Sequence, residues 1–362
     1  MHKKKVAIAI SGGVDSSVAA CLLKEQGYDV FGLFMKNWEE KDSEGRCTTE
    51  TDFQDAKAVC EKLDIPYYSV NFAKEYQENV FQSFIEELKE GYTPNPDILC
   101  NREIKFKVLF NKAMALGADF LATGHYCQVA KTDTGYQLKK GLDANKDQTY
   151  FLYTIKSEIL EKVLFPIGHL EKKEVREIAK KNDLITHSKK DSTGICFIGK
   201  RNFQTFINQY IESTKGDFKT PEGKIVGKHM GHPFYTIGQR KGLAIGGPGE
   251  PWFVVDKDPK TNTVIVAQGE HHSALYAEML IADNISWVGP EIKAPFKCAA
   301  KIRYRQTDTH CTIEKIENDQ ITVSFDNPQR AITPRQSIVF YHENICLGGA
   351  MIIKKLTPAS IL

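Results

Sequence analysis

No stretch of this 362-residue chain stays apolar over the roughly 20 residues that a membrane-spanning helix needs. Its nine cysteines include no Cys-x-x-Cys pair, which speaks against a zinc ribbon or a cysteine-held iron–sulfur cluster. An odd number of cysteines scattered through a long chain also argues against a disulfide framework. No excess of one charge is present: 48 Lys and Arg face 46 Asp and Glu, a formal net charge of +2. The molecule is therefore no polycation, and any surface for nucleic acid must be local. Internal repeats and low-complexity segments are missing as well. The basic start, Met1 to Lys5, leads into an apolar stretch, Val6 to Ile10, that is too short for a signal sequence and meets a Gly-Gly turn. No small-residue cleavage site or Arg/Ser-rich transit segment accompanies it, so the expectation is a cytoplasmic protein with no membrane association. A monomer is expected by default.

What is present is ample material for a core, 41% hydrophobic and 26% charged, at a length that suggests two or three domains. The first half alternates strand-like runs (Lys4 to Ile10, Asp29 to Met35, Tyr67 to Phe72, Asp119 to Thr123) with helical ones (Ser16 to Gln26, Phe53 to Leu63, Tyr76 to Glu90, Phe106 to Leu116). Such alternation predicts a parallel α/β sheet covered on both sides, with ligands beyond the carboxyl ends of its strands. Gln128 to Ala130 and Tyr136 to Lys139 flank Asp133-Thr134-Gly135 and read as a hairpin beside that sheet. Lys172 to Lys181 and Asn202 to Ile211 read as helices. Glycines and prolines crowd 216–249, and beyond Leu275 the pattern is almost purely β, including Lys297 to Tyr304, Cys311 to Ile316, Ile321 to Phe325, Ser337 to Tyr341 and Met351 to Lys355. The expected layout is a catalytic α/β domain over 1–212, a small central β-rich domain over 213–272, and an antiparallel β-barrel over 273–362.

Ser11-Gly12-Gly13-Val14-Asp15-Ser16-Ser17 lies between the first strand and the first helix. Adjacent glycines let backbone approach an anion closely, and free amides at a helix N-terminus hold phosphate oxygens. Asp15 beside phosphate makes sense if it holds a Mg²⁺. A plain turn with Ser and Asp as caps is the competing reading. The loop is neither Gly-x-x-x-x-Gly-Lys-Ser/Thr nor Gly-x-Gly-x-x-Gly, which disfavours P-loop kinases, GTPases and dinucleotide enzymes. It resembles the pyrophosphate-binding loop of the ATP pyrophosphatases. That resemblance implies ATP held by Ile10 to Ser17, adenine near Met35, and Gly124 of Ala122-Thr123-Gly124-His125-Tyr126 close to the nucleotide.

Two further strings carry cysteines. In Thr93-Pro94-Asn95-Pro96-Asp97-Ile98-Leu99-Cys100-Asn101 the prolines stiffen a loop that presents Asp97 and Cys100 ahead of a helix. In Asp191-Ser192-Thr193-Gly194-Ile195-Cys196-Phe197-Ile198-Gly199, the cysteine stands between glycines behind the basic pair Lys189-Lys190. Taken singly, a helix cap and buried cysteines explain both. With the ATP loop, and with Gly238-Gln239-Arg240-Lys241-Gly242-Leu243 between, they resemble in order the motifs of the tRNA-specific 2-thiouridylases of bacterial type. The likeness runs over nearly the whole chain.

The resemblance implies an enzyme of the PP-loop ATP pyrophosphatase fold that uses ATP and Mg²⁺ to adenylate the 2-oxygen of the wobble uridine of tRNA. Sulfur then replaces that oxygen. Cys196 would receive sulfur as a persulfide from a carrier protein or a cysteine desulfurase, Cys100 would act as the nucleophile, and Asp97 as the general acid or base. Implied tRNA contacts are Asn95, Pro96, Asp97, His125, Lys146, Asp147, Gln148, Arg303, Tyr304 and Gln336, with Lys, Glu and Gln acceptors expected. Arg303-Tyr304-Arg305 combines cations with an aromatic face, as RNA surfaces often do, although a strand edge with alternating charges has the same composition. Lys3 to Lys5, Lys172-Lys173 and Lys180-Lys181 read as solvated faces, and His229 and His232 as loop histidines without partners at metal-ligand spacing. An amidating ATP pyrophosphatase would leave both cysteine motifs unexplained, and a tRNA-binding protein without catalysis would leave the nucleotide loop unexplained.

Overall fold

The computed structural model describes residues 3–38, 48–191 and 202–356. The first part of the chain lays down β1 (Lys5–Ile10), β2 (Asp29–Lys36), β3 (Tyr67–Asn71), β4 (Phe120–Thr123), the hairpin β5 (Cys127–Thr132) and β6 (Gly135–Lys140), and the short β7 (Val163–Leu164). Five of these make a parallel sheet in the order β3-β2-β1-β4-β7. Val6, Ala7 and Ile8 of β1 are fully buried, as a central parallel strand covered on both faces requires. From β1 the chain winds outward to β2 and β3, then returns to pair β4 on the other side of β1. Winding reverses between β1 and β4, so their carboxyl ends open the crevice in which such sheets bind ligands.

Helix α1 (Val14–Glu25) follows β1 and buries Val14, Val18, Ala19 and Leu23 against one face of the sheet, next to α2 (Thr48–Lys62). The opposite face is covered by helical paths over 73–89 and 96–115. Each widens into a π-helical stretch, at Gln77–Phe81 and at Cys100–Leu109. Such stretches cost hydrogen-bond geometry and recur at functional sites. The predicted helix at Asn202 to Ile211 is shorter, Phe203–Ile207. No helix of the described residues is long and apolar enough to cross a membrane.

The central domain is a four-stranded sheet of β8 (Gly216–Lys219), β9 (Ile225–His229), β10 (Trp252–Asp258) and β11 (Thr263–Gln268), ordered β10-β11-β8-β9 around Phe218, Val254, Val264 and Val266. Beyond it, β12 (Tyr276–Trp287), β13 (Phe296–Lys301), β14 (Thr309–Glu317), β15 (Gln320–Arg330), β16 (Ser337–His342) and β17 (Ile345–Leu356) form an antiparallel barrel, closed by pairing of β12 with β17. Closure leaves its six strands without a free edge.

One expectation is refined. The β5–β6 hairpin touches β7 at the edge of the parallel sheet without extending it; β6 pairs with β17 and extends the C-terminal sheet. Leu138 is fully buried in the shared core with Tyr341 and Cys346 of the barrel. Tyr150 and Tyr153 add hydrogen bonds from the first domain to Ser337. The hairpin's own sequence specifies its turn, and the burial of its apolar face decides which sheet it joins.

Candidate active site

The loop after β1 turns on Gly12, whose φ of +71° is open to glycine at no cost. A Cβ there would also stand 2.2 Å from the carbonyl oxygen of Asp52. Gly13 precedes α1 with no side chain capping the helix. Ser16 and Ser17 turn their hydroxyls back onto the Gly13 carbonyl at 3.1 and 2.8 Å, and the Ser11 amide donates to Ser16 Oγ at 3.1 Å. The first-turn amides of α1 are thus left uncapped at the positive end of the helix dipole, behind a glycine pair that keeps the approach clear. This cradle suits phosphate oxygens.

Gly124 leaves the end of β4 directly against that helix start. A Cβ on it would lie 2.7 Å from the Ser16 amide nitrogen and 2.8 Å from the Asp15 carbonyl carbon. Met35 sits near the carboxyl end of β2, one position past Phe34, the partner of Ile10. The expected nucleotide residues therefore share one edge of the sheet.

From Gly124 the site continues through His125, which is buried between Phe106 and Phe165. Burial, with the Lys105 charge beside it, holds its imidazole well below the usual histidine range, so the ring is neutral. Lys105 Nζ lies 3.4 Å from Nε2 and has only protons to give, so Nε2 accepts. Nδ1 then carries the ring proton and donates to Thr123 Oγ1 at 2.7 Å. The charge of the same Lys105 is also felt by Asp97. Burial pushes the Asp97 carboxyl above the ordinary carboxylate range, and Lys105 opposes the shift. No hydrogen bond to that carboxyl comes from another described residue.

Asn95 caps the helical path that carries these groups, accepting from the Asp97 amide at 3.2 Å, and Pro96 takes the first helical position, where its missing N–H costs nothing. Cys100 follows one turn after Asp97, on the same side, and is buried where the π-helical stretch begins. Gly124 thus packs on the start of α1, and His125 next to it meets Lys105, whose charge also bears on Asp97. Cys196 lies outside the described residues.

Sequence reasoning missed the ionic ring around the loop. Asp15 does not stand open for a metal: both its oxygens accept from Lys172 Nζ, at 2.7 and 2.8 Å, and Oδ1 also accepts from the Tyr126 hydroxyl at 2.7 Å. Lys172 was expected on a solvated face, yet its side chain is 13% exposed and also reaches Asp191 at 2.9 Å. Asp191 further holds Lys146 and Arg176. Burial works against ionisation of Asp191, but the hydrogen bonds and charges of Lys146 and Lys172 win and depress its pKa to about 2. Lys189 donates to the Gly12 carbonyl and pairs with Asp52 and Asp55 on α2. Among the described residues no three His, Cys, Asp or Glu side chains group as metal ligands. To hold a Mg²⁺, Asp15 would have to give up Lys172, and the other ligands would have to come from outside the described side chains.

The remaining candidates fall in two places. Gln148 and Tyr126 exchange hydrogen bonds, each at 3.0 Å, beside the crevice. Lys146 points to Asp191, while Asp147 turns inward, 4% exposed, to Thr149 and Lys301. Tyr304 stacks at 4.4 Å on Phe151 and donates to the Lys146 carbonyl at 3.4 Å. Arg303 and Gln336 sit at domain junctions: Arg303 donates to the carbonyl of Ile237 at 3.1 Å, and Gln336 to that of Thr93. Lys257 of the central domain reaches Thr93 Oγ1 at 3.4 Å. All three domains thus hold the loop that leads into Asp97. His229 is no loop histidine: it ends β9, 2% exposed, with its ring 5.1 Å from that of Phe218.

Comparison with known proteins follows the same three segments. Family profiles described as a tRNA methyl transferase HUP domain, a tRNA methyl transferase PRC-barrel domain and an aminomethyltransferase β-barrel domain match residues 4–200, 204–268 and 277–352. The tRNA-specific 2-thiouridylase MnmA of Protochlamydia amoebophila is 59% identical over 352 residues, covering 97% of this chain and 94% of that one. The corresponding protein of Bacillus pumilus is 54% identical over 351 residues, with 96% and 94% covered. A solved U34-tRNA thiolase, NcsA of Methanococcus maripaludis, matches 59% of this chain and 66% of that one at 19% identity, with a TM-score of 0.37, too loose a likeness to carry an argument. The profile descriptions speak of methyl transfer and the full-length relatives of thiolation. The relatives weigh more, because their match runs unbroken through all three segments.

Proposed function

Because the chain belongs to the tRNA-specific 2-thiouridylases, a family of tRNA sulfurtransferases, we propose that it replaces the 2-oxygen of the wobble uridine of tRNA with sulfur, at the expense of ATP. The observation that supports this reading most is the convergence at one sheet edge of an uncapped glycine loop with a buried carboxyl and a cysteine. ATP bound there supplies activation, since AMP carried on the 2-oxygen makes that oxygen a good leaving group. Ile10 to Ser17 and Gly124 would hold its phosphates and Met35 the adenine, and Asp15 would help hold a Mg²⁺ that offsets phosphate charge.

Each side chain then has a task that its surroundings suit. The raised Asp97 carboxyl holds a proton more readily than an exposed aspartate and exchanges it with the uridine ring as general acid or base. Neutral His125 gives Lys105 a fixed acceptor, which holds the ammonium where its charge acts on Asp97. Cys196 carries the incoming sulfur as a persulfide. Attack by the Cys100 thiolate on its inner sulfur forms the Cys100–Cys196 disulfide and releases hydrosulfide, which displaces AMP at carbon 2. A two-electron reductant then restores both thiols. Thiolates attack near neutral pH, where a serine would not. The target base must leave the anticodon stack to reach this crevice; Lys146, Gln148 and Tyr304 near it are the contacts expected for the anticodon arm, while Arg303 and Gln336 at the domain junctions would support the loop before Asp97. A persulfide carrier protein or cysteine desulfurase is the expected sulfur source, in the cytoplasm.

The test is thiolation of unmodified tRNA with ATP, Mg²⁺ and a persulfide donor, resolved on a mercury-containing gel, with Cys100→Ser and Cys196→Ser beside wild type. An ATP-dependent retarded band that both substitutions abolish is expected. ATP cleavage that ignores tRNA and survives both substitutions would sink this reading.

A further inference from the structure

We propose that Lys172 is a polyphosphate ligand of the nucleotide site, parked on Asp15 until the nucleotide arrives. The inference rests on the reading of residues 10–17 as a nucleotide loop and adds to it a residue from a different element, 155 positions beyond the loop in a 362-residue chain.

Three observations carry it. First, Lys172 stands where its own helix is least able to use it. It is the first residue of the helix Lys172–Lys181, whose N-terminus is closed by a Glu171/Glu174 capping box. A cation in the first turn opposes the helix dipole; Lys173 shares that turn but is 85% exposed and solvated, whereas Lys172 is 13% exposed, and Lys180 and Lys181 sit in the last turn, where the dipole favours them. A residue that breaks a local rule marks a place where function has overridden helix stability.

Second, the ammonium is fully engaged and aimed at the loop. Its nitrogen donates to Asp15 Oδ1 and Oδ2 at 2.7 and 2.8 Å, pairs with Asp191 Oδ1 at 2.9 Å, and sits 5.6 Å from the centre of the Tyr126 ring. Third, the site as it stands is arranged for exchange. An anion on the uncapped amides of α1 would face the Asp15 carboxylate one residue into the helix. That approach is tolerable only with a cation between them, and Lys172 is already there. When its Nζ swings on its flexible stem toward phosphate oxygens, Asp15 keeps the Tyr126 hydroxyl at 2.7 Å and gains room for a divalent cation. Lys172 thereby reads the β- and γ-phosphates, which AMP lacks, and returns to Asp15 once pyrophosphate has left.

The experiment measures binding of ATP and of AMP to the full-length protein by equilibrium dialysis with Mg²⁺ and without tRNA. Wild type is compared with Lys172→Met, Lys172→Arg and Lys173→Met, the last altering a neighbour whose side chain is 85% exposed. Lys172→Met is expected to bind ATP at least about tenfold more weakly while holding AMP within about twofold of wild type. Lys172→Arg should recover part of the loss, and Lys173→Met should match wild type. Unchanged ATP affinity in Lys172→Met overturns the proposal. So does an equal loss for ATP and AMP, which marks Lys172 as a structural ion pair. If wild type itself binds no ATP, the nucleotide-loop reading falls, and the proposal with it.

Discussion

Replacing Gly124 by alanine tests how closely the end of β4 must approach the nucleotide loop. The backbone of Gly124 lies outside the positive-φ region, so alanine meets no conformational barrier there and the effect is steric alone. Its Cβ would stand 2.7 Å from the Ser16 nitrogen, 2.8 Å from the Asp15 carbonyl carbon and 3.0 Å from Ser16 Cα, where ordinary contact begins at 3.4 Å. All three atoms are backbone, so no side chain can rotate away. Relief requires the end of β4 and the start of α1 to separate by several tenths of an ångström, and Ser16 and Ser17 are themselves buried.

Overpacking of this kind costs about 1–3 kcal/mol. The cradle for phosphate is built from the same amides, so the strain should fall on nucleotide binding as well as on stability. At about 1.4 kcal/mol per decade, ATP affinity should fall by roughly 5- to 140-fold. Gly289→Ala is the control, since its Cβ would meet nothing within 4 Å. Thermal unfolding and equilibrium dialysis with ATP measure the two effects. A Gly124→Ala protein that melts and binds ATP like wild type would refute the claim that this contact is tight.

Two pH profiles check the ionic framework. Asp191 titrates at about 2 in the folded protein against an ordinary 3.8, so the stability it contributes is present above pH 3.8 and is lost as pH falls toward 2. The melting-temperature gap between wild type and Asp191→Asn should therefore be full at neutral pH and close over that interval; a gap independent of pH would contradict the ion pairs. Burial lowers Lys257 to about 8 from 10.5, against the opposing pull of Asp256, so the folded protein sheds this proton first. Urea melts should show wild type gaining stability relative to Lys257→Met as pH rises from 8 to 10.5, and a flat difference would mean that Lys257 is solvated.

Local rules made much of this molecule readable before any coordinates. The strand–turn–helix at Lys5 to Glu25 combines a β-branched run, two glycines and a capped-looking serine string, and each choice points the same way. The helix Lys172–Lys181 appears where its periodicity placed it, and the strand-rich C-terminal third closes into a barrel. Twelve-residue β12 was harder to pick out, since its pairing shifts register at bulges and interrupts the alternation along it. The π-helical start at Cys100 also escaped, because an i→i+5 bond leaves no residue-type signature.

The sequence by itself determined the chemistry on offer: a glycine loop opening the first helix, an aspartate and a cysteine behind stiffening prolines, and a second cysteine beyond Asp191. It determined these because turn geometry, capping and reactivity depend on residues next to one another in the chain. Only the tertiary structure decided which of these groups meet. Gly124 reaches α1 because winding reverses at β1 and β4, and Lys105 meets His125 because both segments pack at that edge. Lys172 ends on Asp15 rather than in water for the same reason. Contacts between residues far apart in the chain follow from burial of a shared core, and that term has no local imprint to read.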